Sequence, residues 1–169
     1  MKYIVDTEES KIYWEGRNEK MTNKGQVDFQ SGEIIINDKG EIEDALISID
    51  LTTIKATSDN LDDENKQKLI NHLNSPDFFY TENYKIISFK MNEASIDHGS
   101  GFIKGIITLK EANFDVIIPC RTFKENNSFV AEGEFELSEI SQPMHNYLGE
   151  DYEEDTPGTK IMYHLKAKS

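Results

Sequence analysis

The chain has 169 residues, 37% of them apolar, and 32 acidic against 18 basic side chains give it a net charge of −14. That length fits one domain, 1–169, large enough to bury a core without staples. The charge opposes binding to a nucleic-acid backbone, which depends on Lys and Arg, and docking on anionic lipid, while no apolar run reaches the roughly 18 to 20 residues of a membrane-spanning helix.

The first residues, MKYIVDTEESKIYW, lack the apolar core of a secretory signal, so the cytoplasm is the expected location, or the periplasm if a leader has been removed. The single cysteine, Cys120, excludes an internal disulfide framework and a multi-cysteine zinc site. In a strand-like run it is expected as a small buried apolar residue.

Short period-two runs bounded by turn residues, the strand signature, recur along the chain. Tyr3–Val5 is brief and apolar, and Lys11–Gly16 puts Ile12 and Trp14 on one side. Gly25–Ile36 places Val27 and Phe29 on one face and ends in Ile34-Ile35-Ile36, apolar on both. After the turn Asn37–Gly40, Glu43–Leu51 aligns Ala45, Ile47, Ile49 and Leu51. Thr52–Asn60 reads as a polar connection.

The stretch from Leu61 to Met91 differs. A helix is expected around residues 61–74, with Leu61, Leu69, Ile70 and Leu73 on one side. Asp62–Lys66 and Glu64–Lys68 are acid-to-base pairs at i,i+4 on its solvated face. Ser75-Pro76-Asp77 then turns the chain, Phe78 and Phe79 bring two rings in non-helical chain that should point apart, and a strand follows from Ile86. The whole reads as a plug for one end of something. Beyond it, Phe102–Lys110, Asn113–Phe123, Ser128–Phe135 and Ile161–Ala167 read as strands, with Ser138–Pro157 irregular and acidic. Gly105 and Gly133, mid-strand on the apolar face, fit sharp barrel bends or space kept for something else. The fold class is therefore all-β: about eight strands whose short turns suggest an antiparallel meander with one inserted helix, and eight strands is the number at which a closed barrel holds side chains or one small ligand.

Three segments carry a family resemblance: Tyr3–Asp6 with Ser10-Lys11-Ile12; His72-Leu73-Asn74-Ser75-Pro76-Asp77-Phe78-Phe79 with Tyr84, Ile87 and Phe89; and Gly105–Leu109. They resemble the YceI-like family of lipocalin-like barrels over roughly two thirds of the chain. The sequence departs from that pattern at Asn71, Lys85, Lys110–Asn113 and Leu137–Ser141. The resemblance implies a lumen holding a long apolar molecule, a polyisoprenoid or isoprenoid quinone, with no cofactor. The expected lining is Trp14, Val27, Phe29, Ile47, Ile49, Phe78, Phe79, Phe89, Met91, Ile103, Ile107, Val116, Ile118, Phe129 and Phe135. The same residues would serve as ordinary packed core if the lumen is filled.

No catalytic residue is identified. His72, His98, His145 and His164 are scattered without a ligand spacing, although His145 and His164 have the chance to meet in a barrel. No nucleophile elbow, phosphate loop or dinucleotide fingerprint is present. The acidic run Glu150–Asp155 lacks the spacing and glycine of a calcium loop and reads as solvated, so no metal is expected. Three readings stand: a non-enzymatic barrel that sequesters or carries an isoprenoid-type lipid; an enzyme acting on a small apolar substrate with His72, Tyr84 or His145 at its mouth; and an interaction module, homodimer included, with a ligand-free core.

Overall fold

In the computed structural model, residues 1–17, 22–76, 78–148 and 159–169 are described. Nine strands form one antiparallel sheet: β1 (Lys2–Val5), β2 (Lys11–Arg17), β3 (Thr22–Ile36), β4 (Ile42–Ala56), β5 (Ile86–Asp97), β6 (Ser100–Leu109), β7 (Ala112–Glu125), β8 (Ser128–Glu136) and β9 (Thr159–Lys168). The order β3-β2-β9-β8-β7-β6-β5-β4 closes because β4 also pairs with β3. Closure removes the unpaired strand edges that an open sheet leaves available for aggregation. The barrel nevertheless has eight staves, since β1 and β2 share one position between β3 and β9: Ile4 pairs with Glu33 and Lys168, and Ile12 with Val27 and Tyr163.

The break between β1 and β2 is built from side chains. Asp6 Oδ1 accepts from the Glu8 and Glu9 N–H groups at 3.0 and 3.1 Å. Ser10 is fully buried, and its Oγ accepts from Lys166 N at 2.9 Å and donates to Lys166 O at 3.3 Å. A hydroxyl thus replaces the strand pairing that the turn interrupts, as buried backbone groups require.

Bulges explain why the apolar alternation switches parity. Along β3, Val27 and Phe29 face inward, then Ile34 and Ile36, because the register slips between Phe29 and Ser31. One extra residue shifts every later side chain by one position. A second slip, between Gln26 and Asp28, carries β4 on to Ala56 through the stretch expected as a connection: Thr53 Oγ1 accepts the Asp28 N–H at 2.8 Å and Ile54 turns inward. Gly105 and Gly133 make room for rings. A Cβ on Gly105 would meet the Phe89 ring, and one on Gly133 would meet Tyr163. Both rings therefore lie down against the wall.

All the helices gather at one end of the barrel. α1 (Asp63–Asn74) follows β4; the Asp62 carboxylate accepts from Asn65 N at 2.8 Å as its N-cap, and Glu64 and Lys68 pair at 3.5 Å. The region expected to be irregular after β8 instead forms α2 (Leu137–Ile140) and α3 (Gln142–Leu148). Leu137, Ile140, Met144 and Leu148 recur at helical spacing, but Pro143 conceals it. Pro143 sits in the first turn of α3, where no intrahelical N–H is lost, and Ser141 Oγ accepts the Met144 N–H at 3.2 Å.

Candidate functional site

Each strand sends every second side chain inward, and the inward set is almost entirely aliphatic or aromatic. Around it lies a cavity of about 930 Å³, near the upper end of the roughly 300–1,000 Å³ usual for ligand pockets. It runs from the helical end, where α1, Pro76, Phe78, Phe79 and α3 line it, down to Ile34, Ala45, Cys120 and Leu165.

Trp14, Val27, Phe29, Ile47, Ile49, Phe78, Phe79, Phe89, Ile103, Ile107, Ile118 and Phe135 all lie on the cavity wall. Met91, Val116 and Phe129 do not, though all three are buried. Phe129 packs on Tyr3 with ring centroids 6.1 Å apart, sealing the end away from the helices. Val116 faces inward opposite Gly105 but is covered within a second cluster with Leu109, Ile140 and Met144, against which Phe79 and Phe89 pack. Met91 belongs to the main buried cluster. Strand parity identifies an inward side chain; it does not say whether another side chain stands between it and the void.

The stretch expected as a plug does sit at the mouth. No residue of α1 is fully buried, yet Leu69, His72 and Leu73 line the cavity. The following turn is held by backbone carbonyls. Leu73 O accepts from Phe79 N at 3.0 Å, Ser75 O from Tyr80 N at 2.9 Å, and Asn74 Oδ1 takes the Thr81 hydroxyl at 2.7 Å. Phe78 and Phe79 do not point apart. Their rings meet edge to face at 4.6 Å and both line the cavity, the arrangement favoured by the quadrupole of aromatic rings. The carbonyl of His72, rather than its ring, secures the turn by accepting from Ser75 Oγ at 2.6 Å. The ring lies against Phe78.

Lys110, in the two-residue β6–β7 turn, donates to Pro76 O at 3.3 Å and lies 5.6 Å from the centre of the Tyr147 ring on α3. The neighbouring Glu111 carboxylate raises the Tyr84 pKa. The turn thereby ties the 75–85 segment and α3 across the mouth. These contacts were not readable from sequence, because Lys110–Asn113 stood out only as a departure from the family pattern.

Two polar groups of the lumen, Cys120 and Tyr163, are held in their neutral form. Cys120 is buried on the wall and burial pushes its thiol up. Burial likewise drives the Tyr163 hydroxyl far above its ordinary range, and it donates to Pro119 O at 2.7 Å. His145 lines the mouth, but His164 is on the alternate, outward face of β9 with Nδ1 3.1 Å from Glu132, so the two histidines do not meet. Tyr84 is not on the cavity wall. Among the described residues no group of three or more His, Cys, Asp and Glu is placed to hold a metal ion, and none of the helices is long and apolar enough to cross a membrane. The acidic run 150–155 lies outside the described residues.

No curated protein matches the chain. Among solved structures it is similar to BcnA of Burkholderia cenocepacia, with a TM-score of 0.71 and 16% identity over 97% of this chain and 99% of that one. It is also similar to a polyisoprenoid binding domain from Saccharophagus degradans implicated in plant cell wall breakdown (TM-score 0.61, 11% identity, 99% and 98% covered). The Campylobacter jejuni YCEI protein is a third (TM-score 0.51, 19% identity, 83% and 84% covered). At such identities the likeness is one of fold. Residues 3–148 match the YceI-like domain, so the chain belongs to the YceI-like family.

Proposed function

We propose that this protein is a non-enzymatic carrier or store for one long apolar lipid of the isoprenoid type, held in the barrel lumen with its tail toward the end sealed by Tyr3 and Phe129. The observation that carries the reading is the apolar cavity of about 930 Å³ running inward from the helical end. A self-filling core leaves few voids larger than a water molecule, and an apolar void of this size loses contacts on every wall. A lipid chain restores them at about 0.8 kcal/mol per buried CH₂. Roughly ten methylenes then provide enough for tight binding before association costs of several kcal/mol are subtracted. Membership of the YceI-like family, together with a structural neighbour described as a polyisoprenoid binding domain, supports the isoprenoid class. The protonated thiol of buried Cys120 and the protonated hydroxyl of half-buried Tyr163 offer no activated nucleophile, which favours binding over catalysis.

Trp14 is the only tryptophan in the chain and lies on the lumen wall, so it reports occupancy directly. Titration of delipidated protein with a C20 or longer isoprenoid should change its fluorescence saturably, at one lipid per chain. An unbranched alkyl chain of equal length serves as the comparison. No saturable response to either removes the proposal, and a preference for the unbranched chain removes the isoprenoid part.

A further inference from the structure

Among the described residues two buried side-chain polar atoms have no hydrogen-bond partner, Trp14 Nε1 and Asn23 Oδ1. Both residues line the same cavity. They are also near neighbours on the barrel wall, since Trp14 pairs with Gly25 and Gly16 with Asn23, two successive inward positions of the β2–β3 ladder. Buried polar atoms are satisfied in the great majority of cases, and an orphan keeps the full desolvation penalty that a partner would offset. Two on one patch of an otherwise apolar wall form a paired donor and acceptor awaiting a partner.

The sequence fixes both in place. The Trp14 indole occupies the space beside Gly25, where any Cβ would collide with Cζ2 and Cε2 of the ring, the latter bonded to Nε1, and with the Lys55 carbonyl oxygen. Position 25 therefore sets the direction of the N–H. Gly16, opposite Asn23, has no atom of the described residues within 4 Å of where a Cβ would stand. The space beside the carboxamide is left open by the absence of a side chain.

We infer that Trp14 and Asn23 form a seat for the polar head of the bound lipid, and that the head is a neutral hydroxyl. The inference rests on the lipid-binding reading above. A hydroxyl oxygen accepts from Trp14 Nε1–H while its proton goes to Asn23 Oδ1, so one small group satisfies both orphans. An ether or ester oxygen satisfies only the donor. A phosphate brings charge and acceptors alone to a carboxamide oxygen, in a chain of net charge −14, and leaves Asn23 unpaired. The seat lies toward the helical end, where β2 finishes and β3 begins, which orients the ligand with its head near the mouth and its tail toward Tyr3 and Phe129. Trp14 and Asn23 are in this sense specificity-determining residues.

The test uses the full delipidated chain and four probes with one C20 isoprenoid tail: the free alcohol, its methyl ether, the parent hydrocarbon and the monophosphate. Affinities are read by calorimetry, which does not need the tryptophan. The alcohol should bind about tenfold or more tighter than the hydrocarbon, which relieves neither orphan, with the ether, which relieves only the Trp14 donor, between the two. Asn23→Leu and Trp14→Phe, each checked for an unchanged melting transition, should bring the alcohol to within about threefold of the hydrocarbon measured on the same variant. Equal binding of alcohol, ether and hydrocarbon overturns the seat and leaves the lipid reading standing. Tightest binding of the monophosphate overturns it too, and moves the head to Lys110 at the mouth. An alcohol preference that survives both substitutions also overturns it. If none of the four binds, the lipid reading falls and the seat with it.

Discussion

Replacing Ala131 by Phe separates an open lumen from a packed one. Ala131 faces inward from β8, is 5% exposed and lies on the cavity wall. In a close-packed core, inserting a ring at such a position costs typically about 1–3 kcal/mol through displaced neighbours. In an open lumen the ring occupies existing space and gains about 1.5–3 kcal/mol by burial, less about 1 kcal/mol of side-chain entropy. The delipidated variant should therefore be as stable as the parent or more stable by up to about 2 kcal/mol, a rise of no more than about 8 °C in Tm at about 2–4 °C per kcal/mol for a domain of this size. A ligand at a hundred times its Kd stabilises the parent by about 2.7 kcal/mol, which is roughly 5–11 °C. In the variant this shift should shrink, because the ring takes up part of the cavity of about 930 Å³ that the chain would occupy. Differential scanning calorimetry of both proteins, with and without a C20 isoprenoid alcohol, gives all four values. A delipidated variant destabilised by more than about 1 kcal/mol, with the lipid shift intact, refutes the reasoning.

Phe129→Ala makes the opposite separation: loss of a buried ring should cost about 3–5 kcal/mol, yet lipid stoichiometry in the remaining folded protein should stay at one, because Phe129 seals the far end against Tyr3 and is not on the wall. Ser10→Ala leaves the Lys166 N–H without its buried acceptor, and chemical denaturation should show a loss of about 1–3 kcal/mol. Asp6→Asn should give a pH-dependent loss. The hydrogen bond from Lys168, then that from the Glu9 N–H, lowers the Asp6 pKa in the folded chain. Its contribution is therefore present in full above the ordinary carboxylate range and lost as pH falls through the lowered value. Denaturation midpoints of parent and variant should differ at pH 7 and converge below about pH 4; a gap that persists at pH 2 contradicts this assignment.

Strand periodicity and the segment from His72 to Phe89 made the barrel, its inserted helix and most of the wall legible, because parity and family pattern act on residues near in sequence. Three features resisted for physical reasons. The two short helices after β8 carry their apolar period across Pro143, which reads locally as a breaker. The inward set of β3 changes parity at Ser31, and no residue type announces that bulge. Phe78 and Phe79 stack because the carbonyls of Leu73 and Ser75 fold the turn back on itself, a constraint set by backbone hydrogen bonds. The seat at Trp14 and Asn23 was half visible. Trp14 stood out as an inward aromatic, but Asn23 fell in a polar, turn-rich stretch, and its significance depends on Gly16 standing opposite across the ladder.

The central claim is that the lumen holds one lipid, and native mass spectrometry of the protein purified from its own host tests it most directly, followed by organic extraction and identification of the extract. The account predicts a single added mass per chain that is lost on extraction and is identified as an isoprenoid chain. A protein that arrives at its bare chain mass, together with an experimental structure whose lumen is filled by its own side chains, contradicts it.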